Sequence, residues 1–282
     1  MAGVKIVTDT TAYLPQEYVD EYQIDVIPLM LNWQGKTYRD FYDIKAGEFY
    51  ERLKTANELP TTSAVSVHDF SESIQRGLDE GKSVLVLPIS QGISASHANA
   101  VLAKANFPGK PVEVVDTQLV SMALSFMVLT AARAVREGAD LQQAKEAAER
   151  SYEHIGVYFT VDNLKYLHKG GRIGGAKRLL GSALKIKPIL EIREGKIEAA
   201  GSAITRKKAL ARLVKLVGEG INGRSPVHIS VFHALDIETA RELKAECEQE
   251  FHPVENILSE VSPVVGAHVG PGTVSIAYMA GM

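Results

Sequence analysis

Ser83-Val84-Leu85-Val86-Leu87-Pro88-Ile89-Ser90-Gln91-Gly92-Ile93-Ser94-Ala95-Ser96 is the stretch whose reading decides the fold. From Ser83 to Ile89 it carries no charge and no alternation of polar with apolar positions, as expected of a strand covered by helices on both faces. A polar loop follows, and Ser96 to Ala105 has helical spacing. Val112 to Val115 repeats the pattern of a short buried strand. Upstream, Val4 to Thr8 is a strand that runs into the polar Asp9-Thr10-Thr11, and Val67 to Leu78 is a helix. Downstream, Ser121 to Val135 is an apolar helix. Strands that alternate with helices in this way predict a three-layer α/β/α unit with a mainly parallel sheet. Two features interrupt it. Val26 to Trp33 and Lys36 to Arg39 flank Gln34-Gly35 as a hairpin, and the helix Ile44 to Thr55 is broken by Pro60-Thr61-Thr62-Ser63.

The second half has a different rhythm. Gly138-Ala139 is a break, and Asp140 caps an amphipathic helix that reaches about Tyr152. Lys187 to Ile192 and Lys196 to Ala203 surround Arg193-Glu194-Gly195, a hairpin signal. Thr205 caps a basic helix, Val227 to Phe232 is a strand, Ile237 to Phe251 is a charged helix, and Thr273 to Met279 is a closing strand. Hairpins mixed with helices predict an α+β unit with a mixed or antiparallel sheet. With 282 residues there is length for two cores. The expected division is residues 1–152 and 153–282.

Composition excludes several classes. The chain is 45% hydrophobic and 23% charged, as in ordinary globular proteins. Asp9 interrupts any apolar leader after six residues. The longest uncharged stretch, Thr117 to Ala132, is shorter than the roughly 20 residues of a membrane span and contains Ser121, Ser125 and Thr130. It reads as a buried helix. A single cysteine, Cys247, excludes an internal disulfide and fits a reducing cytoplasm. Among Glu246, Glu248 and Glu250 it is placed on a helix surface, with acidic neighbours that disfavour a reactive thiolate. The net charge of −3 gives no bulk attraction to nucleic acid. Charge is nevertheless uneven. Asp162 to Glu191 encloses Lys165, Lys169, Arg172, Lys177, Arg178, Lys185 and Lys187 with no acid between them, and Glu198 to Glu219 encloses five more cations. These tracts read either as one electropositive face or as solvated helix surface.

Standard chemical signatures fail. Gly170-Gly171-Arg172-Ile173-Gly174-Gly175 does not fit a dinucleotide fingerprint and follows a helical pattern rather than a strand. Gly218 to Ser225 lacks the lysine of a phosphate-binding loop, and it precedes a strand instead of following one. The eight histidines hold no H-E-x-x-H, and one cysteine argues against structural zinc. Gly92-Ile93-Ser94-Ala95-Ser96 is a near miss to the nucleophile elbow of an esterase-like serine hydrolase, with His268 late in the chain as that order requires. Ser96, however, replaces the second glycine that permits the tight turn. Hydroxyls also gather at strand ends: Thr10 and Thr11, Thr61 to Ser66, Ser90 to Ser96, and Thr117 to Ser121. Loops after the carboxyl ends of parallel strands converge on one crevice, and helix N-termini there favour an anion. Each loop taken alone reads equally as helix caps and turns.

Together these segments resemble the DegV family, whose best understood members are the fatty-acid-binding subunits of bacterial fatty acid kinase (FakB type). The resemblance spans essentially the whole chain: Asp9-Thr10-Thr11, Pro60-Thr61-Thr62-Ser63, Ile89 to Ser96, Asp116-Thr117 with Ser121-Met122, Lys169-Gly170-Gly171-Arg172-Ile173, and Gly266-Ala267-His268-Val269-Gly270-Pro271-Gly272. It implies a two-domain DegV-like fold with a long-chain fatty acid in a buried tunnel, its carboxylate held by Thr62, Ser94 and His268. Ser63, Arg172 and Arg206 are implied as headgroup or partner contacts. The partner so implied is a separate ATP-dependent fatty acid kinase, which converts the bound acid to an acyl phosphate for phospholipid synthesis. The chain itself would then be no enzyme. It would need no cofactor and no metal, bind no nucleic acid, and contact a membrane at most transiently. Two alternatives stay open: the hydrolase using Ser94 and His268, and a lipid-binding paralogue with no kinase. The chain departs from the family pattern at Ala64-Val65, at Ala95-Ser96-His97 and at Ala123, which bears on acyl preference.

Overall fold

The structure, a computed structural model, describes residues 3–181 and 186–282; Lys185 of the first basic tract lies outside the described residues. The first half contains β1 (Val4–Asp9), α1 (Gln16–Tyr22), β2 (Asp25–Ile27), β3 (Met30–Trp33), β4 (Lys36–Arg39), α2 (Ala46–Thr55) and β5 (Thr61–Ser63). It continues with α3 (Val67–Asp79), β6 (Ser83–Val86), α4 (Ser96–Lys104), β7 (Val112–Val114), α5 (Met122–Arg136) and α6 (Leu141–Ser151). The second half contains β8 (Ile155–Thr160), α7 (Lys165–Lys169), β9 (Lys187–Arg193), β10 (Lys196–Ala203), α8 (Arg206–Ile221), β11 (Val227–His233), α9 (Ile237–Phe251), β12 (Glu255–Glu260), α10 (Pro263–Val269) and β13 (Val274–Ala280).

Three sheets result. The strands in the order β2-β1-β6-β7 are all parallel, as the uncharged Ser83 to Ile89 run predicts. Helices α3 and α4 pack together on this sheet, while α5 contacts β1 and α6 contacts β6. A mixed six-stranded sheet, ordered β10-β9-β8-β13-β11-β12, occupies the second half. The fold class is therefore α/β, with a mainly parallel sheet first and a mixed sheet second. The predicted Val26 to Trp33 strand is split at Pro28: β2 joins the parallel sheet, and β3 turns away to pair with β4 and β5. Proline has no N–H to continue a ladder, so the chain changes sheets there.

Alternation along the central strands sorts their side chains to two sides. In β11, Val227, Ile229 and Val231 enter a core shared with Leu213, Val217 and Leu243 of α8 and α9. Phe232, on the other face, joins the larger core with α5 and the parallel sheet. In β13, Ile276 and Tyr278 face the first core, and Ala277 and Met279 the second. Helix α5 lies between the two large sheets, in contact with β1, β8 and β13, which accounts for the absence of charge as far as Ala132. Among the described residues, no helix is long and apolar enough to cross a membrane. Cys247 is a correction. It lies fully buried on the inward stripe Ala240, Leu243, Cys247 of α9, and burial pushes its thiol up to about 12.

The halves touch through a close backbone contact. The β9–β10 turn, Glu194-Gly195, has positive φ at both residues (50° and 73°), the hairpin chemistry expected from the sequence. Its Gly195 carbonyl accepts a 2.8 Å hydrogen bond from Ser90 Oγ. A Cβ at Gly92 would lie 2.4 Å from that same carbonyl oxygen, so only glycine permits the approach.

Candidate functional site

Between the halves lies a cavity with about 800 Å3 of space unfilled by protein atoms, its mouth included. Thr62, Ser94, Arg172 and His268 all line it. Most of the remaining wall is apolar: Ile89, Val120, Val157, Phe159, Ile192, Ile197, Phe232 and valines of α10. Thr62, Ser94, Arg172 and His268 lie together at one end, where α7 and the segment after it approach the loop before α4.

Four different elements supply that end. Thr62 is on β5, held by pairing with Leu31 of β3. The sequence placed it in a loop at the end of the parallel sheet, and it belongs instead to the small antiparallel sheet. Ser94 is in the loop after β6, where its Oγ accepts from Ser96 N at 3.2 Å and lies 3.0 Å from Ser96 Oγ. His268 is on α10, a seven-residue helix where the glycines suggest only a turn. Ser262 is the N-cap, accepting from Val265 N at 3.3 Å, and Pro263 is the first helical residue; the Ser-Pro pair is the sequence signal for this helix. Asp40 adds a cap from the other half, accepting from Val264 N at 3.1 Å. Burial pushes Asp40 up to about 7.

His268 Nε2 is 2.8 Å from Thr62 Oγ1, and its buried Nδ1 has no hydrogen-bond partner among the described residues. Burial first, and the positive charge of Arg172 second, push the imidazole down to about 4, so it is neutral at pH 7. A neutral imidazole has one N–H and one lone pair. An orphaned buried N–H is rarer than an orphaned acceptor, so the proton is assigned to Nε2 and donated to Thr62. Thr62 thereby accepts from the ring and keeps its own O–H for the cavity. Ser94 is in the same position. It accepts from Ser96 N, and when Ser96 Oγ donates the 3.0 Å contact between the two hydroxyls the Ser94 proton points at a ligand. Two hydroxyl donors thus face one space without a formal charge between them.

Arg172 lies at the rim. Its Nη1 donates to Gly170 O at 2.8 Å and its Nε to Ile93 O at 3.2 Å. Among the described residues its Nη2 has no hydrogen-bond partner. The remaining residues singled out from sequence stand elsewhere. Ser63 points to solvent and accepts from Asn32 Nδ2 at 2.9 Å. Arg206 ties the start of α8 to Asp162, Asp236 and the Gly272 carbonyl, a network that braces the turn after α10. Neither lines the cavity. Thr10, Ser90, Ser96 and Thr117, expected as anion donors, bond inward: Thr10 to Leu29 N, Ser90 to Gly195 O, Ser96 to Val65 N, and Thr117 to Pro88 O.

The hydrolase geometry is not assembled. His268 bonds Thr62 rather than Ser94, and among the described residues no carboxylate orients its other nitrogen, whereas a triad needs both contacts. Sequence reading also missed the cavity wall. Phe159, Ser275 and Phe232 form a row across β8, β13 and β11, paired in register as Phe159 with Ser275 and Ser275 with Phe232. Alternating small residues in Val274-Ser275-Ile276-Ala277 were the available signal, since they leave room on one face.

Fold and site define an α/β protein built around an enclosed apolar cavity with a polar end. The family model described as "Uncharacterised protein, DegV family" matches residues 3–281, and the chain belongs to the DegV family. It is similar to a DegV family protein of Thermus thermophilus described by its fatty acid binding, with 34% identity, 99% of each chain covered and a TM-score of 0.94. It is also similar to DegV of Bacillus subtilis, described as a fatty acid binding protein: 31% identity, 99% of this chain and 100% of that one, TM-score 0.89. A DegV domain-containing protein of Halalkalibacterium halodurans is 33% identical over 279 residues, 99% of each chain.

Proposed function

We propose that this protein binds a long-chain fatty acid in the central cavity and holds its carboxylate with Thr62, Ser94 and His268. The observation that carries this reading is the pairing of one largely apolar cavity with the two hydroxyls of Thr62 and Ser94 that line it, backed by a neutral His268. A carboxylate held by neutral donors is positioned without being locked in a tight ion pair, so it stays nucleophilic. The acyl chain gains roughly 0.8 kcal/mol for each methylene removed from water. His268 acts through Thr62, fixing the direction in which that hydroxyl donates. The fatty acid binding described for the Thermus and Bacillus proteins supports the ligand class. Extraction of the purified protein with organic solvent and mass spectrometry should release a fatty acid; an extract without any amphiphile would refute the reading.

On the same reading, the chain is a substrate-presenting subunit and not itself a catalyst. A separate ATP-dependent kinase would reach the carboxylate at the rim, with Arg172 on its side of the ligand. Arg206 would shape that surface through its bracing of Asp162 and Gly272 rather than touch the acid. Residues 1–152 and 153–282 would be the two domains, each closing one side of the cavity. Incubation with a cognate kinase, ATP and oleate should yield acyl phosphate. Binding without acyl phosphate would instead favour a lipid-binding paralogue that works with no kinase.

A further inference from the structure

We propose that Tyr13 ends the acyl cavity and so sets the longest chain that fits, with a second cavity lying directly behind its ring. The proposal rests on the acyl reading of the first cavity and names the residue that limits it.

The cavity is laid across the six-stranded sheet rather than along it. Its wall takes Ile197 from β10, Ile192 from β9, Phe159 from β8, Ser275 from β13 and Phe232 from β11, in the order of the strands. Five neighbouring strands enclose four spacings, roughly 19 Å at the usual separation. The polar end lies toward β10, where Gly174, two residues after Arg172, packs on the Ile197 carbonyl. The other end therefore lies at β11, and Tyr13 lines the cavity there, its ring centroid 6.0 Å from Phe232.

Tyr13 also lines a second cavity, with about 1,140 Å3 of space unfilled by protein atoms, its mouth and adjoining solvent included. Ser259 and Glu260 of β12, the next strand of the sheet, border it, and so does Phe41, whose ring is 6.4 Å from Tyr13. The tyrosine ring is thus flanked by one phenylalanine from each cavity and continues the line of the first into the second. Leu14, Val19, Ile24 and Val26 give that second space an apolar side suited to an alkyl tail.

The ring is fixed by its backbone. Tyr13 has φ 59° and closes the tight turn after β1, in which Asp9 accepts from Thr11 N at 3.0 Å and from Thr11 Oγ1 at 2.6 Å. Its hydroxyl is buried beside Asp40 and Ser262, residues that border neither cavity. Its place as a partition therefore depends on the ring, not on the hydroxyl.

The test is a binding series of saturated fatty acids of increasing length. In the wild-type protein, affinity should rise about fourfold per carbon until the terminal methyl meets Tyr13, then fall. Tyr13→Gly, which accepts positive φ without strain, should extend the longest acid bound by several carbons while shorter acids keep their affinity within a few-fold. Tyr13→Phe should keep the wild-type limit. The same limit in Tyr13→Gly as in wild type, with shorter acids still bound, would overturn the proposal and leave the acyl site standing. A second measurement needs no variant: an acid carrying a terminal diazirine should label Tyr13, Phe232 or Phe41 in the wild-type protein. Labelling of other residues would equally overturn it. If the wild-type protein binds none of the acids, the acyl reading itself fails and this inference falls with it.

Discussion

His268 Nε2 stands 2.8 Å from Thr62 Oγ1, joining α10 of the second half to β5 of the first at the polar end of the cavity. One hydrogen bond therefore both orients a donor and ties together the elements that enclose the ligand.

Thr62→Val removes that hydroxyl at nearly constant volume. We expect acid affinity to fall by about 1.5–3 kcal/mol, the usual worth of a hydrogen bond to a charged group. Stability should fall as well, because both imidazole nitrogens would then lack partners. Titration calorimetry with a fatty acid reads the first effect and urea unfolding the second. Unchanged affinity would place the carboxylate elsewhere.

Ser94→Ala should weaken acid binding with little change in fold. The wild-type protein should not turn over p-nitrophenyl esters, and Ser94 should resist a fluorophosphonate, since no base contacts it. Turnover that vanished in the alanine variant would revive the hydrolase reading.

Stability against pH should reveal two opposed groups. His268 is pushed from 6.5 down to about 4, so the unfolded chain binds the extra proton and stability falls as pH drops between those values. Asp40 is pushed from 3.8 up to about 7, so the folded chain binds the extra proton and stability falls as pH rises through that range. Each contributes at most roughly 3–4 kcal/mol. Between pH 4.5 and 6.5 they offset. His268→Asn should leave a stability that declines with rising pH, and Asp40→Asn one that climbs. Urea unfolding across this window checks both, and parallel curves for the two variants would contradict the assignment.

Gly92→Ala should destabilise the protein by about 1–3 kcal/mol, because the new methyl meets a backbone carbonyl that cannot step aside. It should also speed ligand release, since relief comes from moving the β9–β10 turn away from the loop before α4. Stopped-flow displacement of a fluorescent fatty acid would show this, and an unchanged release rate would mean that the contact does not guard the mouth.

Much of the fold was legible because its signals were local. The uncharged Ser83 to Ile89 run fixed a parallel sheet, and Glu194-Gly195 marked a hairpin that formed with both residues at positive φ. What escaped reading depends on partners far away in the chain. Strand β12, Glu255–Glu260, begins and ends in glutamate and looks like a surface loop until β11 pairs with it. Strand β5 is three residues long and exists only as the partner of β3. At the site, the resemblance selected Thr62, Ser94 and His268, all of which line the cavity, whereas Arg206 and Ser63 bond outside it. No local pattern could separate these cases, since each is a polar residue beside a turn.

The transverse path of the cavity gives the protein something like a graduated ruler. Each strand marks off about 4.8 Å of whatever lies upon it, and the marks are side chains standing perpendicular to the pairing that holds the sheet. A larger residue at Ser275 would obstruct one interval and leave every ladder hydrogen bond intact. Length and bend of the guest can therefore be retuned one graduation at a time, by single substitutions that the scaffold scarcely registers.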